Sequence, residues 1–158
     1  MLEQFIAWAR EHGWQVETAQ KSTYTLPEEV IGRYSVPEEY RRFLSYVKTC
    51  VSPEDTKWFL CSDDYAPQPE DTFRWNEFEI ISLGAAGGDT KWAATIKDFW
   101  DSHFPFFMSV DGDYEYCAFD LADSSIVKGY EPEFEETSTV ARSFDEFLAK
   151  VISGEMQV

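Results

Sequence analysis

Apolar residues recur along the chain with two periods, one helical and one alternating. Leu2, Phe5, Ile6 and Ala9 fall on one helix face, and Gly13 closes that helix. The phrase LPEEV at 26–30 returns as VPEEY at 36–40. Both read as helix starts. Proline fits a first turn, where its missing N–H costs nothing, and the glutamate pairs favour the positive end of the helix dipole. Ser35 and Glu38 have capping-box spacing, and Tyr40, Phe43, Leu44 and Val47 continue as a buried stripe. KWFLC at 57–61 predicts a short strand. SDDYAPQPEDT at 62–72 predicts a polar, mobile excursion, and FEIISL at 78–83 another strand. After the break GAAGG at 84–88, Asp89 caps a helix whose inner face carries Trp92, Ile96, Phe99 and Trp100, and Pro105 ends that region.

FFMSV and YEYCAFDL flank Asp111-Gly112, which predicts a hairpin with a type I′ turn and positive φ at both central residues. IVKGY at 126–130 adds a third adjacent strand, and EPEFEETST at 131–139 an acidic loop. A last helix starts at Ser143, with Glu146 completing a second capping box and Phe144, Phe147, Leu148, Val151 and Ile152 facing inward. Hairpin-linked strands beside helices predict an α+β fold, with about five to six mainly antiparallel strands in a single domain over 1–158.

Composition sharpens this picture. Aromatic residues make up 17% of the 158, which argues against disorder. The net charge of -17 repels nucleic acid and anionic membranes and attracts basic protein partners. Cys50, Cys61 and Cys117 are an odd number without close pairing, and the N-terminal stretch is neither a signal peptide nor a membrane span. A cytoplasmic location with reduced thiols is the expectation.

Three segments, in order, carry a resemblance. VPEEYRRFL, GDYEYCAFDL and SFDEFLAKVISG resemble the Leu-Pro-x-x-Tyr-x-x-Phe-Leu segment, the Gly-Asp aromatic hairpin and the closing Ser-Phe-x-x-Phe-Leu helix of the SUKH superfamily. That superfamily includes fungal cell-wall-assembly regulators and many bacterial toxin-immunity proteins. The resemblance implies an α+β fold and a non-catalytic role: binding and neutralising a cognate toxin in the cytoplasm or, as the alternative, acting as an intracellular scaffold or regulator. The long acidic 62–76 loop and the stretch GAAGGDTKWAATIKDFW depart from the family pattern.

The candidate chemistry is weak by comparison. Asp111, Asp113 and Glu115 suggest calcium, but an EF-hand loop has its glycine after the third acid, whereas Gly112 falls between the first two. Glu77 and Glu79 could serve a small hydrolase, yet solvated strand edges explain them better. The cysteines, His12 and His103 lack zinc spacing. GAAGGDTK lacks the Gly-Lys-Ser/Thr ending of a phosphate loop. No catalytic residue, cofactor or metal is expected. The expected contact residues are the acids Asp63, Asp64, Glu70 and Asp71 of one loop and Glu131, Glu133, Glu135 and Glu136 of another. Trp75 joins them either as an exposed anchor or as a cover on the core edge.

Overall fold

The computed structural model describes residues 1–19, 24–69 and 72–158. Helix α1 (Leu2–Glu11) buries Phe5, Ile6 and Ala9, and Gly13 turns the chain at φ 82° into strand β1 (Gln15–Thr18). Both Pro-Glu-Glu phrases start helices, α2 (Glu28–Arg33) and α3 (Glu38–Tyr46). Pro37 itself is the N-cap of α3 and no side chain caps it, so the expected box between Ser35 and Glu38 does not form. Strands β2 (Val47–Val51) and β3 (Lys57–Phe59) follow, then a short 3₁₀ turn (Ser62–Tyr65).

The segment expected as a strand at 78–83 is instead helix α4 (Glu77–Ala85). Its side chains are apolar almost all round, which hides the helical period. Asp89 caps helix α5 (Thr90–Ser102) by accepting from the N–H groups of Lys91 and Trp92, both at 3.0 Å. Ile96 and Trp100 are buried, but Trp92 stands 48% exposed, outside the expected inner face. Pro105 does not end this region: α5 stops at Ser102, and Pro105 sits in strand β4 (His103–Ser109) where the register shifts. Strands β5 (Glu115–Asp120), β6 (Ile126–Tyr130) and β7 (Ser138–Ala141) complete the sheet, and α6 (Phe144–Ser153) closes the chain.

The seven strands lie in chain order, each antiparallel to the next. The sheet therefore exceeds the expected strand count: β1, β2 and β7 lie outside the predicted strands, while the strand expected at 78–83 is a helix. The β4–β5 connection runs from Val110 to Tyr114, longer than a two-residue turn. Gly112 has φ 83° but Asp111 is not left-handed, so the expected type I′ turn gives way to a wider loop.

Register divides the sheet into two faces. Phe59, Phe107 and Cys117 are cross-strand partners on one face. Phe5 of α1, Phe43 of α3 and Phe147 of α6 lie over Phe59, their ring centroids 4.8, 6.0 and 6.3 Å away. Trp58, Met108, Tyr116 and Gly129 line the other face. The long excursion between β3 and β4 covers it: Phe73 lies against Trp58, and Phe78 and Trp100 against Tyr116. Burying both faces explains why the strand segments are so rich in Phe and Tyr.

Candidate protein-interaction surface

The acids expected to meet a partner have different fates. Asp63 and Asp64 are exposed on the 3₁₀ turn, and Glu133 and Glu136 are exposed on the loop between β6 and β7. None of these four forms an ion pair among the described residues. Glu131 and Glu135 are half-buried and engaged. Glu131 Oε1 accepts from the Tyr114 N–H at 2.9 Å, and Glu135 Oε1 from Trp100 Nε1–H at 2.8 Å. Glu70 and Asp71 lie outside the described residues.

The loop holding Glu131 to Glu136 is thus anchored to the sheet. Phe134 is buried and stacks on Phe78 at 4.6 Å, and its carbonyl accepts from the Tyr116 hydroxyl at 2.6 Å. Its free carboxylates, Glu133 and Glu136, project from a fixed base.

The 62–69 part of the polar segment is also less free than its composition suggests. Tyr65 is fully buried, stacks on Phe104 at 5.3 Å and donates its hydroxyl to the Pro105 carbonyl at 2.8 Å. Asp64 Oδ2 accepts from the Cys61 N–H at 2.6 Å and so fastens the turn to the end of β3. Although Asp64 is exposed as a residue, its carboxyl lies against the turn. This desolvation raises its pKa, the Cys61 bond lowers it and neighbouring Asp63 raises it again. Trp75 is only 8% exposed, packed near Tyr34 and Tyr65, so it covers the core edge rather than standing out as an anchor.

Between β3 and the residues 64–68 and 72–75 lies a cleft of about 350 Å³. The sheet supplies Trp58, Leu60 and Met108, and the excursion supplies Phe73 and Trp75. Two exposed acids, Asp55 and Asp64, line it as well. Asp55 Oδ1 accepts from Trp58 Nε1–H at 3.1 Å. Arg74, also in the wall, is paired with Glu77 at 3.4 Å. Asp55, Trp58 and Phe73, which line this cleft, are not among the residues that the sequence singles out. One signal was available: in KWFLC two adjacent aromatics alternate across a strand, so Trp58 must face away from the side that buries Phe59.

Glu79 corrects another expectation. It is no solvated strand edge but a buried helix residue, 7% exposed. Arg33 donates to both its carboxylate oxygens, at 2.7 and 2.8 Å, and to Asp101 at 2.6 Å. One guanidinium thereby ties α2 to α4 and α5, and these bonds outweigh its burial to hold its pKa above the ordinary arginine value. The pair is structural ion pairing, not an acid–base dyad. The three cysteines are free and buried, and burial pushes their thiols up, away from nucleophilic character. Asp111 pairs with Lys57 at 3.1 Å and Glu115 with Lys128 at 2.7 Å. Among the described residues, no group of His, Cys, Asp and Glu is placed to hold a metal ion, and no helix is long and apolar enough to cross a membrane.

With seven antiparallel strands, aromatic helices on one face and the cleft beside β3 on the other, the chain has an α+β fold. It belongs to the SMI1 / KNR4 family (SUKH-1), whose profile matches residues 27–150. The match runs from the first Pro-Glu-Glu helix into α6 and takes in two of the segments that carried the resemblance and most of the third. Membership places the chain among proteins of immunity or regulator type, a group generally without catalytic activity. No curated protein and no solved structure matches the chain significantly.

Proposed function

We propose that the chain is a cytoplasmic immunity-type protein that binds a basic toxin domain of the nuclease kind and neutralises it by stoichiometric association. The supporting observation is the placement, on fixed supports, of carboxylates that form no ion pair among the described residues. Asp63 and Asp64 ride on a turn pinned by the buried Tyr65, and Glu133 and Glu136 on a loop pinned by the buried Phe134. Holding like charges in place costs self-repulsion, to which a net charge of -17 adds. A basic partner offsets that cost on binding, and acids in fixed positions lose little entropy when they engage. Carboxylates spread over a surface stand in for nucleic-acid phosphates.

The test is protection. Cells expressing a toxin encoded beside this chain's gene should survive when the unaltered chain is co-expressed. They should die with Asp63→Lys, Glu133→Lys and Glu136→Lys combined. Those exposed substitutions should change stability by no more than about 0.5 kcal/mol each. Equal protection by the charge-reversed chain would remove the acidic surface from the mechanism.

A further inference from the structure

We infer that the cleft between β3 and the residues 64–68 and 72–75 receives an arginine side chain of the partner protein. Such an arginine belongs to the basic partner proposed above, on which the assignment depends. Trp58 and Phe73 give the cleft its half-exposed aromatic wall, Gln68 and Thr72 join it at the rim, and the buried Trp75 and Met108 lie at its floor. A guanidinium is planar and weakly hydrated and stacks on aromatic faces, whereas an ammonium is a compact, strongly hydrated point charge. At about 350 Å³ the cleft lies at the small end of the ligand-pocket range of about 300–1,000 Å³, suited to one or two side chains rather than a helix.

The acids are set for the same group. Asp55 spends one carboxylate oxygen on the Trp58 indole N–H, and Asp64 spends one on the Cys61 N–H. The second oxygen of each has no partner among the described residues. Each carboxylate is therefore oriented before anything binds, with an acceptor to spare, as bidentate or bridging recognition of a guanidinium requires. Arg74, the cation in the wall, has Glu77 beside it and leaves the acidic balance in place.

The test uses N-acetyl-arginine amide as probe and the whole ¹⁵N-labelled chain, reading the tryptophan indole N–H signals by NMR. The signals of Trp58 and Trp75 should shift and saturate, while those of Trp8 and the exposed Trp92 stay still. N-acetyl-citrulline amide has nearly the same shape without the charge and should bind about fivefold more weakly or worse. In D55N/D64N, each asparagine keeps the one oxygen spent on an N–H and tolerates the left-handed backbone of Asp55 (φ 54°), while the spare oxygen becomes an NH2 donor, so the charge and the spare acceptor are lost together. That variant should bind both amides alike. Equal binding of the two amides to the unaltered chain would point to an apolar occupant and overturn the assignment. So would shifts centred on Trp8 or Trp92, or an undiminished preference for arginine in D55N/D64N. If that variant fails to fold, the citrulline comparison on the unaltered chain decides alone. No toxin is needed, so protection without arginine binding sinks only the cleft, and arginine binding without protection sinks only the immunity function.

Discussion

At Gly129, in the middle of β6, a missing side chain decides how the acidic loop docks. A β-carbon there would stand 2.6 Å from Tyr116 Cε1 and 2.7 Å from the Phe134 carbonyl oxygen. The requirement is space rather than backbone conformation, because Gly129 is not among the left-handed glycines. Neither neighbour can retreat: Tyr116 is fully buried between Trp100 and Phe78, and Phe134 is stacked on Phe78. Gly129→Ala should cost about 1–3 kcal/mol, the usual range for overpacking a filled core. Chemical denaturation would show it, and an unchanged midpoint would contradict the close docking of the loop. IVKGY reads from sequence as an ordinary strand, and nothing local announces that Phe134 returns to cover it. The same holds for Glu79, whose partner Arg33 lies on another helix and reaches it only in the folded chain.

Among the elements, α4 departs furthest from its sequence. Phe78, Ile80, Ile81 and Leu83 combine near-alternation with β-branching, the pattern of a strand. The helix inverts the usual rule: Glu79 and Ser82 are buried while Ile81 is 40% exposed, so its polar residues do not mark the solvent side. A substitution distinguishes the two states. Gly84 lies inside α4, its φ is not left-handed, and a β-carbon there would meet nothing within 4 Å. Gly84→Ala should therefore stabilise the protein by about 0.5–1 kcal/mol, as expected for a helix interior. A loss of stability in a thermal melt would contradict the helix. The strongly periodic helices α1, α3 and α6 were legible because their apolar stripes match their buried faces. The edge strands β1 and β7 were not, being four residues each and mostly exposed. Both edges carry a cation on an outer carbonyl, Arg10 on Val16 at 3.3 Å and Lys150 on Val140 at 2.7 Å. Charged cover of this kind discourages further strands from adding to a sheet.

For the whole molecule, antiparallel α+β architecture followed from hairpin-linked strands, and its acidity from composition. What composition could not supply is the division of the acids into engaged and free. Glu131 and Glu135 serve the fold through their carboxylates, whereas the carboxylates of Asp63, Glu133 and Glu136 form no hydrogen bond or ion pair among the described residues. Salt should act in opposite directions on the two properties that this charge controls. Screening shortens from about 10 Å at 0.1 M to about 3 Å at 1 M, so added salt should raise the melting temperature of the free chain by relieving self-repulsion. The same screening should slow association with a basic partner. The most direct measurement is therefore the association rate with the toxin, followed by stopped flow from about 50 to 500 mM salt. The rate should fall by about tenfold or more, with dissociation changing much less. The Asp63→Lys, Glu133→Lys and Glu136→Lys combination should start slower and lose much of that salt dependence. A rate insensitive both to salt and to the three reversals would contradict the claim that this acidic surface captures a basic partner.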